Sequence, residues 1–102
     1  MSIQKQFSPS KGICKVKFSL TQEEVQGATR VHIVGEFNDW SPLADRMRKT
    51  TTGNFSRILE LPTGREYQFR YLFDGHRWEN DWEADGFAPA PFEETYNSVI
   101  KL

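Results

Sequence analysis

The chain has 102 residues, a length that suits one domain with a single hydrophobic core. Thirteen basic and fourteen acidic residues give a formal net charge of −1 with no block of like charge, which argues against nucleic acid or an anionic membrane as the partner. The single cysteine excludes an intrachain disulfide, and no long apolar run or signal-peptide pattern is present. These features predict a soluble, cytoplasmic protein.

The first part of the chain predicts a flexible N-terminal arm over residues 1–12, followed by one domain over residues 13–102. Residues 13–20 alternate between apolar and polar side chains, the pattern of a strand with one wet face. Cys14 lies on the apolar side of that alternation, which favours a small buried hydrophobe over a nucleophile. The T-x-x-E sequence from Thr21 to Glu24 can cap one helical turn, but the segment that contains it is too short for a helix and is predicted to be a loop.

Residues 31–40 read V-H-I-V-G-E-F-N-D-W and predict a buried strand that runs into a turn. Gly35 interrupts the apolar pattern, which indicates a bulge or a close approach of two backbones. Asn38 and Asp39 are turn residues, and they place Trp40 on a loop at the end of the strand. The ring of Trp40 either caps the core or forms a stacking platform held by the scaffold.

In the second half of the chain, the alternation of apolar and polar side chains is clearest over residues 66–73, which predicts a strand. Asp74-Gly75 follows this strand and predicts a tight hairpin turn. The acidic and proline-rich residues 80–92 are predicted to form an ordered loop that crosses the domain. Residues 95–102 predict the last strand, and Met47 is the expected core contact of the polar segment 43–52. The fold class is therefore an all-β, immunoglobulin-like antiparallel sandwich of about seven strands.

Residues suited to catalysis are few. The two histidines, His32 in a strand and His76 in a turn, do not supply a metal site or a catalytic triad. The carboxylates of Asp81, Glu83 and Asp85 share one loop and are read as solvated rather than as a glycosidase pair. The sequence therefore predicts no enzymatic activity, no metal and no cofactor.

Four sequence blocks occur in an order and spacing that resemble the family-48 carbohydrate-binding modules. This family includes the early-set domains of isoamylases and glycogen branching enzymes and the glycogen-binding domain of the AMP-activated kinase β subunit. The resemblance covers roughly residues 14–102, which is nearly the whole chain, and is closest to short bacterial stand-alone versions. The blocks are G-E-F-N-D-W at 35–40, L-E-L-P-T-G at 59–64, Y-Q-F-R-Y-L-F-D-G-H-R-W at 67–78 and T-Y-N-S-V-I at 95–100.

The resemblance implies an early-set sandwich that binds α-1,4-glucan or malto-oligosaccharide. In glucan-binding members two tryptophans stack on glucose rings, and they correspond here to Trp40 and Trp78. A basic strand residue that bonds sugar hydroxyls corresponds to Arg70, and polar residues of the last strand correspond to Asn97 and Thr95. Glu93 stands where the kinase-type modules carry an apolar residue.

Two functions remain open on the sequence. The first is a non-catalytic module that binds glycogen or starch-type glucan. The second is a protein-interaction or regulatory module that packs on a glucan-metabolising enzyme with little or no sugar binding. Exposed, neighbouring tryptophans favour the first and buried ones the second. Trp82 either forms a third platform or pins the long loop.

Overall fold

A computed structural model describes residues 1–91 and 94–102 of the chain, and these residues form nine strands in two antiparallel sheets. The expected all-β, immunoglobulin-like sandwich is confirmed. Helical structure in the described residues is limited to single 3₁₀ turns at Pro9–Lys11 and Glu36–Asn38, and no described helix has the length and apolar character needed to cross a membrane. The strands are β1 Ser2–Ser8, β2 Ile13–Leu20, β3 Val31–Gly35, β4 Arg48–Lys49, β5 Phe55–Pro62, β6 Glu66–Phe73, β7 Arg77–Glu79, β8 Gly86–Pro89 and β9 Tyr96–Lys101.

The two sheets enclose one core. The first sheet has the order β1-β2-β5-β4, and the second has the order β3-β6-β9-β8 with β7 paired to β6. Inward-facing aromatic rings of both sheets meet in the core: Phe18 of β2 lies edge-on to Phe69 of β6 at 5.3 Å between ring centroids. Since successive side chains of a strand point to opposite faces, the residues next to these core positions lie on the outer faces.

Two segments differ from the sequence interpretation. Residues 2–8, expected in a flexible arm, form β1 and pair with β2 over their whole length. Residues 80–92, expected to be a loop, include β8, which pairs with β9 at the edge of the second sheet. These two strands raise the number in the described residues above the seven expected, and both are sheet-edge strands with largely polar or proline-containing sequences, a composition that weakens a strand pattern.

Several local predictions are confirmed. Cys14 is fully buried, and Met47 is 2% exposed. Asp74 and Gly75 both have positive φ angles, of 52° and 75°, in the turn between β6 and β7. Thr21 and Glu24 form the reciprocal hydrogen bonds of a capping box, from the Thr21 N–H to Glu24 Oε1 at 2.8 Å and from the Glu24 N–H to Thr21 Oγ1 at 3.2 Å.

Gly35 lies where β3 approaches β6 closely. A Cβ atom at this position would lie 2.5 Å from the Gln68 carbonyl oxygen and 2.6 Å from the Phe69 Cβ. The Gly35 backbone itself is extended, with a φ of −170°, so the need for glycine is steric rather than conformational. The close backbone approach predicted from the sequence is therefore confirmed.

We predict that Gly35→Ala destabilises the fold by about 1–3 kcal/mol, because backbone atoms of β6 must move to admit the methyl group. Urea unfolding followed by tryptophan fluorescence measures the loss. Gly86→Ala is the matched control, since a Cβ there has no atom within 4 Å and the φ is ordinary. The control should change the free energy of unfolding by no more than about 1 kcal/mol. Equal losses at the two glycines would contradict the steric explanation.

Asp81 corrects the interpretation of the acidic loop as merely solvated. Its side chain is fully buried and accepts hydrogen bonds from the Tyr71 hydroxyl at 2.5 Å and the Glu83 N–H at 2.8 Å. Its own N–H donates to Ser98 Oγ at 2.9 Å. This carboxylate is a structural anchor that ties the β7–β8 connection to β6 and β9.

Burial raises the pKa of the Asp81 carboxyl above its usual value and therefore makes stability depend on pH. Because the native state holds this proton more tightly than the unfolded state, the contribution is full below the unfolded pKa and is lost as pH rises through the native pKa. We predict that Asp81→Asn, which cannot ionise but can keep both partners, removes this dependence. The unfolding free energy of the wild type relative to the variant should therefore rise from about pH 7 to pH 3. The unfolding free energies are measured in urea at each pH. Curves of unfolding free energy against pH that run parallel for the wild type and the variant would contradict this prediction.

Candidate functional site

The site is built around Arg70, which sits where β6 changes partner. β9 pairs with β6 over Glu66 to Phe69, and β7 pairs on the same side from Tyr71 onward. The side chain of Arg70 alternates with the core residues on either side of it and therefore lies on the outer face. It is placed between the neighbouring ends of β7 and β9.

Arg70 contacts one side chain from each of these strands. Its Nε–H donates to Asn97 Oδ1 at 2.7 Å on β9, and its guanidinium carbon lies 5.5 Å from the centroid of the Trp78 ring on β7. Asn97 Nδ2 in turn donates to Gln68 Oε1 at 3.0 Å. This chain of contacts fixes the planar groups of Arg70 and Asn97 beside an indole ring that is 43% exposed.

A concave surface of about 390 Å³ lies next to this cluster and brings in the Trp40 loop. Gln68 is also bound to that loop, because its N–H donates to Glu36 Oε1 at 2.7 Å. The concavity thus combines one indole ring with carboxamide, guanidinium and carboxylate groups. Its described lining residues are Glu36, Trp40, Gln68, Arg70, Ala90, Pro91 and Asn97.

The loop that carries Trp40 is held by Asn38. Its Oδ1 accepts from the Gly35 N–H at 3.0 Å, while its Nδ2 donates to the Ile33 carbonyl at 3.0 Å and to Asp45 Oδ2 at 2.8 Å. The Trp40 N–H then donates to the Gly35 carbonyl at 2.9 Å and closes the turn. Trp40 is partly buried, and its backbone is fixed by bonds on both sides of the loop.

The backbone at this loop is strained. Asp39 and Trp40 have positive φ angles of 54° and 57°, the left-handed region that favours glycine. Aspartate tolerates this region, but a bulky aromatic residue there is an outlier. Strain of this kind costs on the order of 1–3 kcal/mol and tends to cluster at binding and catalytic sites. The loop therefore holds a tryptophan at a position whose backbone conformation favours glycine.

Of the five residues singled out from the sequence, Trp40, Arg70 and Asn97 line the concavity, and Trp78 joins it through the Arg70 stacking contact. Thr95 is not among its described lining residues; its carbonyl accepts from the Ala90 N–H at 3.0 Å and so supports the loop beside it. The substitution noted at Glu93 lies outside the described residues.

Sequence reasoning missed Glu36 and Gln68. Gln68 could have been predicted, because it precedes Arg70 by two residues on the same strand and therefore lies on the same outer face. Glu36 carried no such signal, since its place in the site depends on the approach of β3 to β6. In the described part of the chain, no group of three or more His, Cys, Asp or Glu side chains is arranged to hold a metal ion.

An immunoglobulin-like sandwich that fixes aromatic and amide groups on one outer sheet face has the groups that a carbohydrate-binding module needs. The chain matches the family model described as the glycogen recognition site of AMP-activated protein kinase over residues 16–89, and it belongs to that family. Trp40, Arg70 and Trp78 lie inside the matched region, whereas Thr95 and Asn97 follow it. The resemblance noted from the sequence blocks is confirmed. No curated protein matches the chain.

Because Trp40 has a strained backbone, we predict that glycine is more stable than alanine at this position, which is the reverse of the usual order in a strand. Trp40→Gly and Trp40→Ala both remove the ring, but only glycine adopts a positive φ without steric cost. We expect the glycine variant to be more stable by about 1 kcal/mol in urea unfolding.

The control pair for this comparison is Lys15→Gly and Lys15→Ala, at an exposed strand position outside the positive-φ positions. There the glycine variant should be the less stable by about 0.5–1 kcal/mol. The same order at both positions would show that Trp40 is not strained.

Proposed function

We propose that the chain is a non-catalytic module that binds α-1,4-glucan of the glycogen or starch type at the surface formed by Trp40, Arg70, Trp78 and Asn97, called here the glucan platform. The observation that carries the proposal is the position of Arg70. Its side chain stacks on Trp78, bonds Asn97 and lines the same concavity as Trp40. Membership in a glycogen-recognition family supports the ligand class.

The chemistry of a glucose ring matches these groups. A pyranose has an apolar C–H face and a belt of hydroxyls at its edge, and indole rings cover the first with large apolar area at low entropic cost. The guanidinium and carboxamide groups of the platform offer planar donors and acceptors to the hydroxyls. Gln68 and Glu36 add further hydrogen-bonding atoms at the rim of the concavity, and Thr95 is proposed as a contact at its edge.

The ligand is uncharged, which sets the expected strength of binding. Much of the contact energy offsets the ordering and dehydration of a flexible sugar chain, so the dissociation constant should fall on the order of 10 μM to 1 mM. Added salt should change it little, because no ion pair forms with a neutral glucan. A concave platform favours the curved α-1,4 chain over the flat β-1,4 chain of cellulose.

The protein-interaction alternative has less support at this surface. That alternative expects the tryptophans to be buried, whereas Trp78 is 43% exposed beside the concavity that Trp40 lines. A glucan-metabolising enzyme remains a proposed partner that the module would bring to its substrate. We assign the module to the cytoplasm, where the unpaired Cys14 would stay reduced.

Substitutions at the platform test the proposal. Trp40→Ala or Trp78→Ala should weaken malto-oligosaccharide binding about thirtyfold, or ~2 kcal/mol, because each removes an aromatic anchor. Arg70→Ala and Asn97→Ala should weaken it about fivefold, or ~1 kcal/mol, since water partly replaces their hydrogen bonds. Isothermal titration calorimetry with maltoheptaose and co-sedimentation with glycogen measure these changes.

Phe7→Ala is the matched control, because Phe7 is a 51% exposed aromatic residue on β1 of the other sheet. It should bind as the wild type does. Folded Trp40→Ala and Trp78→Ala proteins that bind glycogen normally would overturn the proposal, as would a wild type that does not bind at millimolar sugar. Release of reducing sugar by the homogeneous protein would overturn its non-catalytic part.

A further inference from the structure

A second group of exposed aromatic rings lies away from the glucan platform. Trp82 is 73% exposed, Tyr96 57% and Phe87 48%. Together with Asn80 they line a concave surface of about 430 Å³, similar in size to the concavity beside Arg70. We call these four residues the second aromatic surface. Because the Trp82 ring is mostly exposed, it does not hold the loop in place by packing into the core, and the interpretation that it pins the loop does not explain its position.

The two surfaces lie on opposite faces of the same sheet. Tyr96 and Asn97 are successive residues of β9, so their side chains point to opposite faces. Asn97 lines the glucan platform, whereas Tyr96 lines the second aromatic surface. Phe87 of β8 pairs with Ser98 of β9 and shares the face of Tyr96, at the edge of the sheet beyond β9.

The second aromatic surface is held by hydrogen bonds between Asn80 and β9. Asn80 Nδ2 donates to the Tyr96 carbonyl at 2.8 Å, and Asn80 Oδ1 accepts from Ser98 Oγ at 2.8 Å. The next residue is the buried anchor Asp81, which binds the Tyr71 hydroxyl. Trp82 therefore extends into solvent directly after an anchored backbone, a position that lowers the entropic cost of using its ring for binding.

We infer that the second aromatic surface is a separate binding site for the glucose rings of an α-glucan, so that one chain holds two glucan segments. The inference rests on the proposed function for the identity of the sugar. Its described lining residues carry no charge, which suits a neutral ligand. Three ring faces offer stacking area, while the tyrosine hydroxyl and the asparagine amide supply the polar groups that sugar hydroxyls require.

A protein partner fits this surface less well. Three aromatic side chains bury about 450–750 Å² when covered completely, and those here are already about two-fifths covered on average. A standard protein interface needs about 800 Å² from each partner. The surface is therefore large enough for one or two sugar rings but too small, as it stands, for a stable protein contact.

Two sites on opposite faces change how the module binds a branched polymer. Once one surface is occupied, the other meets neighbouring chains of the same particle at a high effective concentration. Binding to glycogen should then be at least about tenfold tighter than binding to a short oligosaccharide, and one protein should bridge two particles.

The experiment uses the 102-residue chain and its three tryptophan indole N–H signals in ¹H–¹⁵N NMR spectra. Titration with maltoheptaose should shift the Trp82 signal to saturation, both in the wild type and in the Trp40→Ala/Trp78→Ala variant. Should that variant fail to fold, Arg70→Ala replaces it. Tyr96→Ala should weaken the Trp82 response at least about tenfold, whereas Phe7→Ala should leave it unchanged. Light scattering should detect glycogen bridging by the wild type and not by Trp82→Ala.

The outcomes separate the two proposals. A Trp82 signal that does not move while Trp40 and Trp78 respond overturns the second surface and leaves the glucan platform standing. A Trp82 response alone supports the second surface and overturns the platform. The absence of all three responses overturns both. A Trp82 signal that changes with protein concentration but not with sugar shows self-association and overturns the inference.

Discussion

The close approach of β3 to β6 at Gly35 is the contact on which the site depends. Because Gly35 has no side chain, the Gln68 carbonyl and Phe69 can approach its backbone so closely that no room is left for a Cβ atom. The chain leaves β3 at this point, and the loop that follows binds back to the Gly35 backbone through Asn38 and the Trp40 N–H. A larger residue would separate the strands and move the tryptophan away from the Arg70 cluster on β6.

Arg70 links the fold to the site in a second way. It occupies the one position of β6 between the stretch paired with β9 and the stretch paired with β7. A basic residue elsewhere on the outer face would have one neighbouring strand on that side, whereas Arg70 reaches Asn97 on one strand and Trp78 on the other. The change of strand partner thus brings aromatic, cationic and amide groups together without a long loop.

Much of this arrangement follows from the period-two pattern of the strands. Alternation along β6 placed Arg70 opposite the core rings, and the Asp-Gly turn brought the Trp78 strand back beside it. The sequence did not reveal β1 or β8, because edge strands with polar or proline residues carry a weak pattern. It also missed the burial of Asp81 and the contact of Glu36 with Gln68, because the first depends on packing against β6 and β9 and the second on the approach of β3 to β6.

The proposed function gives a physical reason for the backbone strain of the Trp40 loop. A neutral, hydrated and flexible sugar provides no ion pair to offset the cost of ordering a mobile loop, so a platform that ordered only on binding would lose most of its affinity. Folding supplies that order in advance through the bonds from Asn38, at the cost of positive φ angles at Asp39 and Trp40. The strain lowers the stability of the sandwich on folding, and under the proposed function it adds no further cost to glucan binding.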